Sequence, residues 1–238
     1  ITSWAKSGTT LAQQMFHQIR TAHRGGDMDF DDISRVVPWD DTAYMLDFDM
    51  TAPQVAEPRG FKSHRDYERL PAGMRYIVTL RDPKETYVSF YRFLNGWHFK
   101  RDATHQLSWY ARRREADTLL MNYKWVAKNR AQAARRMAAF IGVALDAAGE
   151  ALVLDRTSRQ FMVEHKDRFD DAMVCAVLEA KCGSAADADS TKVQASGSSV
   201  DALPAAIADQ IDQMWAERIA PVTGHSDYAS LAAEVEAL

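Results

Sequence analysis

The run Tyr76–Leu80, YIVTL, is the feature that most limits the fold of this chain. It is continuous and strongly β-prone, which predicts a strand buried on both faces. Pro83 follows closely, and proline is favoured in the first turn of a helix. The run Thr118–Asn122 predicts another strand before an Ala/Arg-rich helix, and RGFKSH (59–64) predicts a short one. Strands that alternate with helices predict an α/β fold, a parallel sheet flanked by helices.

The stretch Ser3–Thr10, SWAKSGTT, lies where a strand-like start passes into the helical pattern LAQQMFHQIR. The first backbone N–H groups of a helix have no partners within it and attract an anion. Gly8 allows close approach to the backbone, and Lys6 supplies a mobile charge. Three hydroxyl side chains can donate hydrogen bonds there: Ser7, Thr9 and Thr10. The pattern indicates a P-loop-like phosphate or sulfate site, with an ordinary capped helix start as the alternative.

Further polar side chains are expected beyond the strand ends, where ligands of parallel sheets bind. Arg81 follows the strand YIVTL and is suited to bidentate phosphate binding; pairing with a carboxylate such as Asp82 is the alternative. Ser89, eight residues later, would need tertiary closure to approach it. Lys62 and His64 occupy alternate positions, so a strand would point both to one side. The pair is a candidate for catalysis, while a structural role for His64 stays equally open.

The composition of the chain limits which classes of partner it can bind. The chain has 238 residues, 47% of them hydrophobic and 26% charged, and we expect one globular domain spanning residues 1–238. The formal net charge of -4 gives no basic field for nucleic acid, so any anion site must be local. No apolar run approaches the roughly 20 residues of a membrane span. Cys175 and Cys182 fit no zinc spacing, and we expect both reduced in a cytoplasmic protein that holds no metal.

The start of the chain is unusual for a parallel strand. Only a few residues precede the lysine loop, and the first is Ile1. Because such strands usually have about five residues, we expect part or all of the first strand to be missing.

Four motifs, in order, resemble those of the PAPS-dependent sulfotransferases of the cytosolic type: SWAKSGTT, FKSH, RDPKETYVSFYRF and RTSRQFMVEHKDRFDD. The resemblance extends from Ser3 to about Ile219, and the ordered set is far more specific than any single motif. It implies a sulfotransferase that takes sulfonate from 3'-phosphoadenosine-5'-phosphosulfate (PAPS) and releases 3'-phosphoadenosine-5'-phosphate (PAP).

The resemblance also implies a role for each motif. The loop would bind the 5'-phosphosulfate through five residues: Lys6, Ser7, Gly8, Thr9 and Thr10. Arg81 and Ser89 would bind the 3'-phosphate. His64 would be the general base. Lys62, which lies beside it in the motif, and Lys6 of the loop would be the other catalytic residues. Three residues would lie on the adenine side: Tyr123, Thr157 and Ser158.

The late motif departs from the family. Arg-Lys-Gly followed by Gly-Asp-Trp is matched here only by KVQASGSS. Lys192 would stand at the position of the family's arginine, and Ser196 and Gly197 would stand at the turn that follows it. The second lysine, the first glycine and the Asp-Trp pair of the family motif are absent from this segment.

The acceptor is expected to be a small molecule, in part hydrophobic, with a hydroxyl or amine. Aromatic residues in segments predicted as loops and helix ends suit such a pocket, a core or a homo-oligomer interface: Phe30, Trp39, Phe93, Trp97, Phe99, Trp109 and Tyr110. His98 and His105 are predicted to be exposed or rim residues. The run Arg112–Arg114 is expected to be a solvated face, with binding of an anionic acceptor as the alternative.

Two other functions stay open at this point. A kinase would use the same loop for ATP but needs an acidic metal ligand, and the sequence places none convincingly. A catalytically impaired nucleotide-binding module would account for the altered late motif.

Overall fold

The computed structural model describes residues 1–94, 104–183, 192–193 and 200–238. Contacts along the chain divide it into two compact units. The sheet unit comprises residues 2–8, 64–128 and 196–238, and the helical unit comprises residue 1 with residues 9–63 and 129–195. That the whole chain is a single domain stays a prediction.

The sheet unit contains three parallel strands in the order β1-β2-β3, which are Thr2–Ser3, Tyr76–Leu80 and Thr118–Asn122. Thr2 lies opposite Val78, and Leu80 lies opposite Asn122. All residues of the three strands are buried, as both faces of a parallel sheet should be. The predicted α/β fold and the predicted bounds of β2 and β3 are confirmed.

The segment FKSH does not form the predicted strand. Lys62 makes a single parallel bridge with Trp39: its N–H donates to the Pro38 carbonyl over 2.8 Å, and its own carbonyl accepts from Asp40 N over 2.9 Å. The next residue, Ser63, donates instead to the carbonyl of Ile1 over 2.9 Å. Because the pairing changes partner after one residue, no ladder forms.

The helices of the sheet unit begin with α3, Pro83–Leu94, whose first residue is the predicted proline. Asp82 supports this start, since its side chain accepts a hydrogen bond from Lys84 N over 2.8 Å. The other helices of this unit are α4 (Thr104–Ala111), α5 (Tyr123–Lys128), α10 (Ala205–Met214), α11 (Ala220–Thr223) and α12 (Tyr228–Ala237). A π-helical turn, Trp215–Ile219, joins α10 to α11.

One face of the sheet supports the apolar core of this unit. Alternate side chains of β2, namely Tyr76, Val78 and Leu80, share a cluster with Trp109 and Trp215. Leu120, Ile219, Leu231 and Val235 complete its apolar surface together with Tyr110. Trp109 and Tyr110, two of the aromatic pocket candidates, are therefore core residues.

The helical unit is built on α1, Thr9–Thr21, which packs against α6 (Arg130–Ile141) and α7 (Ala147–Arg156). Met15, Phe16 and Ile19 of α1 are buried, and the buried alanines of α6 allow close approach. The remaining helices are α2 (Ile33–Val36), α8 (Arg159–Glu164) and α9 (Ala172–Cys182). In α9, Cys175 is a free thiol, as expected, and burial raises its pKa.

No helix within the described ranges has both the length and the apolar character needed to cross a membrane.

Replacement of Trp109 tests the packing of the apolar core in the sheet unit. Its side chain is 0% exposed, and its ring centroid lies 5.0 Å from that of Tyr76. We expect Trp109→Ala to lower the free energy of unfolding by about 3–5 kcal/mol in denaturant titrations, because a large cavity forms. Tyr44→Ala is the control, since Tyr44 is 96% exposed and its loss should cost less than about 0.5 kcal/mol. Equal effects of the two changes would contradict this packing.

Candidate functional site

The lysine loop turns sharply between β1 and α1. Ser7 N donates to the Trp4 carbonyl over 3.1 Å, and Lys6 and Gly8 both have left-handed backbones, with φ of 64° and 100°. A Cβ at Gly8 would lie 2.3 Å from Cδ2 of Tyr123, so a side chain is excluded there. Helix α1 begins at the next residue, Thr9, as both the phosphate-loop interpretation and an ordinary helix start predict.

Arg81 reaches back to this loop from the end of β2. Its Nη1 donates to the carbonyl of Lys6 over 2.9 Å, and its guanidinium carbon lies 4.9 Å from the ring centroid of Tyr123. Its Nε donates to Glu85 Oε2 over 3.3 Å. The strand register accounts for the stacking, because Leu80 lies opposite Asn122 and the residues that follow them emerge at one edge. The carboxylate that Arg81 meets is thus Glu85, whereas Asp82 supports the start of α3.

Helix α3 carries the buried hydroxyls of the site. Ser7 Oγ lies 3.4 Å from Thr86 Oγ1, which ties the loop to the first turns of the helix. Glu85 and Ser89 are one turn apart and share a helix face. Ser89 is buried on the same helix face as Glu85, and its approach to Arg81 stays a prediction.

Two charged residues of this edge were not found from the sequence. Glu85 is buried and also accepts from Lys124 Nζ over 2.5 Å, so one carboxylate meets two cations. Lys124 directly follows Tyr123 at the end of β3. The available signals were an acidic residue four positions after Arg81 and a lysine at a strand end, and both patterns are common on protein surfaces.

His64 is held by the end of β1. Its Nδ1 lies 2.7 Å from the carbonyl oxygen of Ser3. A carbonyl can only accept a hydrogen bond, so Nδ1 carries the proton and, in the neutral ring, the lone pair lies on Nε2. This is the tautomer that a general base at Nε2 requires.

Lys62 and Lys192 lie in a charged cluster of the helical unit. The Lys62 ammonium is 3.5 Å from the ring centroid of Trp39 and 3.9 Å from Asp171 Oδ1, and Lys192 contacts Asp171 Oδ2. Burial lowers the pKa of Lys62 to about 7, and the charge of Lys192 lowers it in the same direction. Lys192 thus has a carboxylate partner in this structure.

The hydroxyls predicted for the adenine side bond to the backbone of the helical unit. Thr157 Oγ1 donates to the Val153 carbonyl over 2.6 Å, and Ser158 Oγ accepts from Phe161 N over 3.1 Å as the N-cap of α8. Ser196 and Gly197 lie outside the described residues. The binding roles of all four stay predictions.

The structure also bears on the predictions made for other histidines, aromatic residues and arginines. His105 was predicted to be exposed, and this is wrong: it is buried, with Nε2 3.3 Å from Thr2 Oγ1 and its ring 6.1 Å from that of Trp4. Phe30 is a buried core residue, and Trp39 contacts Lys62. His98, Trp97, Phe99 and the side chain of Phe93 lie outside the described part of the chain. The arginines of the run 112–114 form ion pairs with Asp117 and Glu234.

Comparison with known proteins identifies families and structures that are similar to this chain. The family model of the sulfotransferase domain matches residues 1–174. A mouse sulfotransferase crystallised with PAP is 16% identical, with a TM-score of 0.62 over 99% of this chain and 86% of its own. Retinol dehydratase in complex with retinol and PAP is 14% identical, with a TM-score of 0.62 over 91% of this chain and 79% of its own.

A third structure is a putative steroid sulphotransferase of Arabidopsis thaliana. It is 18% identical, with a TM-score of 0.58 over 93% of this chain and 76% of its own. No significant match was found among curated protein sequences.

The parallel sheet and its glycine-containing loop define a P-loop-like α/β protein. The match over residues 1–174 then shows that the chain belongs to the sulfotransferase domain family. It is a sulfotransferase, and the donor of that family is PAPS.

The buried Lys62 predicts a specific pH dependence. Its pKa is lowered from 10.5 to about 7 in the folded chain, so between these values the unfolded chain binds a proton that the folded chain lacks. As the pH rises from 7 to 10, the free energy of unfolding of the wild type should therefore increase relative to that of Lys62→Met. The reason is that the cost of burying a charged ammonium is full only below pH 7. Denaturant titrations across this range measure the difference.

Lys166→Met is the matched control, because Lys166 is an exposed lysine of the same unit. Its difference from the wild type should be constant over the range. A constant difference for Lys62→Met as well would contradict the burial of its ammonium.

Proposed function

We propose that this chain transfers sulfonate from PAPS to a hydroxyl or amine of a small, partly hydrophobic acceptor, with His64 as general base. The observation that carries the proposal is the 2.7 Å contact between His64 Nδ1 and the Ser3 carbonyl. It supports an imidazole whose Nε2 accepts a proton. The retinol in one related structure and the androsterone bound to a retinol dehydratase in another support an acceptor of partly hydrophobic character.

The donor is assigned to the loop and Arg81 of the sheet unit. In this proposal Lys6, Ser7 and Gly8 hold the 5'-phosphosulfate, while Arg81 and Ser89 hold the 3'-phosphate. The 2.9 Å bond from Arg81 to the Lys6 carbonyl supports this pairing, because it joins the two anion-binding elements. The family resemblance assigns further donor contacts to Thr9, Thr10, Tyr123, Thr157, Ser158, Lys192, Ser196 and Gly197.

The proposed reaction is an in-line transfer for which PAPS supplies the sulfonate. His64 Nε2 accepts the proton of the acceptor hydroxyl as its oxygen forms the new bond to sulfur. The bond from sulfur to the 5'-phosphate oxygen breaks, and Lys6 stabilises the charge that develops on that oxygen. The remaining catalytic assignment, Lys62, rests on the family resemblance. A cytoplasmic location and a homo-oligomeric state likewise stay predictions.

Replacement of His64 and of Arg81 should separate catalysis from donor binding. We expect His64→Ala to lower kcat by about 10²–10⁴-fold, because general-base help is lost, and to leave the Kd of PAP within about threefold. Arg81→Ala should weaken PAP binding by at least about tenfold, because a charged hydrogen bond is lost. Transfer from PAPS to a panel of phenols, alcohols and amines gives kcat, and calorimetry gives Kd.

His165→Ala is the control, because His165 Nδ1 also lies close to a backbone carbonyl, 2.9 Å from that of Phe161. It should leave kcat unchanged. Wild-type kcat in the His64 variant would refute the general-base assignment. A wild-type chain that binds PAP yet transfers sulfonate to no member of the panel would favour a binding module.

A further inference from the structure

The parallel register brings two cations to one edge of the sheet unit. Arg81 follows β2, and Lys124 follows β3 by two residues. Leu80 and Asn122 are paired at the last step of the ladder, so the chains leave β2 and β3 side by side. Asn122 Oδ1 accepts a hydrogen bond from Lys124 N over 2.9 Å. This bond fixes the backbone at Lys124, from which the side chain extends.

Glu85 joins these two cations. Its Oε2 accepts from Arg81 Nε over 3.3 Å, and its Oε1 lies 2.5 Å from Lys124 Nζ. The carboxylate side chain is only 7% exposed and needs a cationic partner, a need that buried Arg81 already meets. One buried carboxylate thus contacts two cations.

Lys124 differs from Arg81 in exposure. Its side chain is 64% exposed, so its ion pair with Glu85 contributes little to folding. An ammonium has three donors on a flexible stem, and one bond to Glu85 leaves it able to donate to a bound anion. Arg81, by contrast, is fixed by the Lys6 carbonyl and by Glu85 through Nη1 and Nε, and presents Nη2 as its further donor group.

We propose that Lys124 is an additional ligand of the nucleotide 3'-phosphate, held ready by Glu85, and that it sets selectivity for PAP over adenosine 5'-monophosphate (AMP). This inference rests on the proposed function, in which Arg81 binds the same phosphate. A phosphate monoester carries about -1.5 to -2 charges at pH 7, more than one guanidinium balances. Lys124 supplies the second positive charge, and AMP, which lacks the 3'-phosphate, gains nothing from it.

The test compares PAP and AMP affinities, measured by calorimetry at fixed ionic strength, for the wild type and three variants. We expect Lys124→Ala to weaken PAP binding about tenfold, the loss of one charged hydrogen bond, and to change AMP binding by less than about threefold. Lys124→Arg keeps the charge and should retain the preference for PAP. Lys128→Ala, which removes an exposed lysine of the same helix α5, should change neither affinity.

The outcomes separate this inference from the function beneath it. If the wild type binds PAP more tightly than AMP but Lys124→Ala keeps that ratio, the assignment of Lys124 is overturned while the proposed function stands. If the wild type shows no preference for PAP, the proposed function fails and the role of Lys124 fails with it. Equal losses for Lys124→Ala and Lys128→Ala would also overturn the assignment, because the effect would then be one of general charge.

Discussion

The contacts of Arg81 are the constraint on which the candidate site depends. A buried guanidinium needs hydrogen-bond acceptors for its N–H groups. The Lys6 carbonyl accepts from Nη1 and Glu85 accepts from Nε, and the ring of Tyr123 covers one face. Because the same ring fills the space beside Gly8, the arginine, the tyrosine and the glycine of the loop depend on one another.

His64 is oriented by a separate contact with the same short strand that precedes the loop. Ser3 ends β1, and its carbonyl meets the imidazole. The strand therefore has two roles: it pairs with β2 through Thr2 and Ser3, and it sets the tautomer of the proposed base. Catalysis would thus depend on the position of two strand residues as well as on the histidine itself.

Local patterns predicted the main elements well. The bounds of β2, β3 and the start of α3 follow from β-prone runs and from Pro83, whose preferences act over a few residues. FKSH was wrongly predicted as a strand because its bridge to Trp39 ends after one residue, which composition does not reveal. Strand register brings Lys124 to Glu85, whereas Arg81 and Glu85 pair locally, four residues apart; both residues were missed because such patterns are common on protein surfaces. His105 was misjudged because its burial beside Thr2 is a tertiary effect.

The most direct test of donor binding at the loop and Arg81 is a thermal-shift titration of the wild-type chain with PAP, AMP, and ATP with Mg²⁺. At about 100 times its Kd, a ligand adds roughly 2.7 kcal/mol, which raises the Tm of a chain of this size by at least about 5 °C. A site for the 3'-phosphate predicts a shift of this size for PAP and a smaller one for the other nucleotides. A shift for ATP with Mg²⁺ and none for PAP would contradict it.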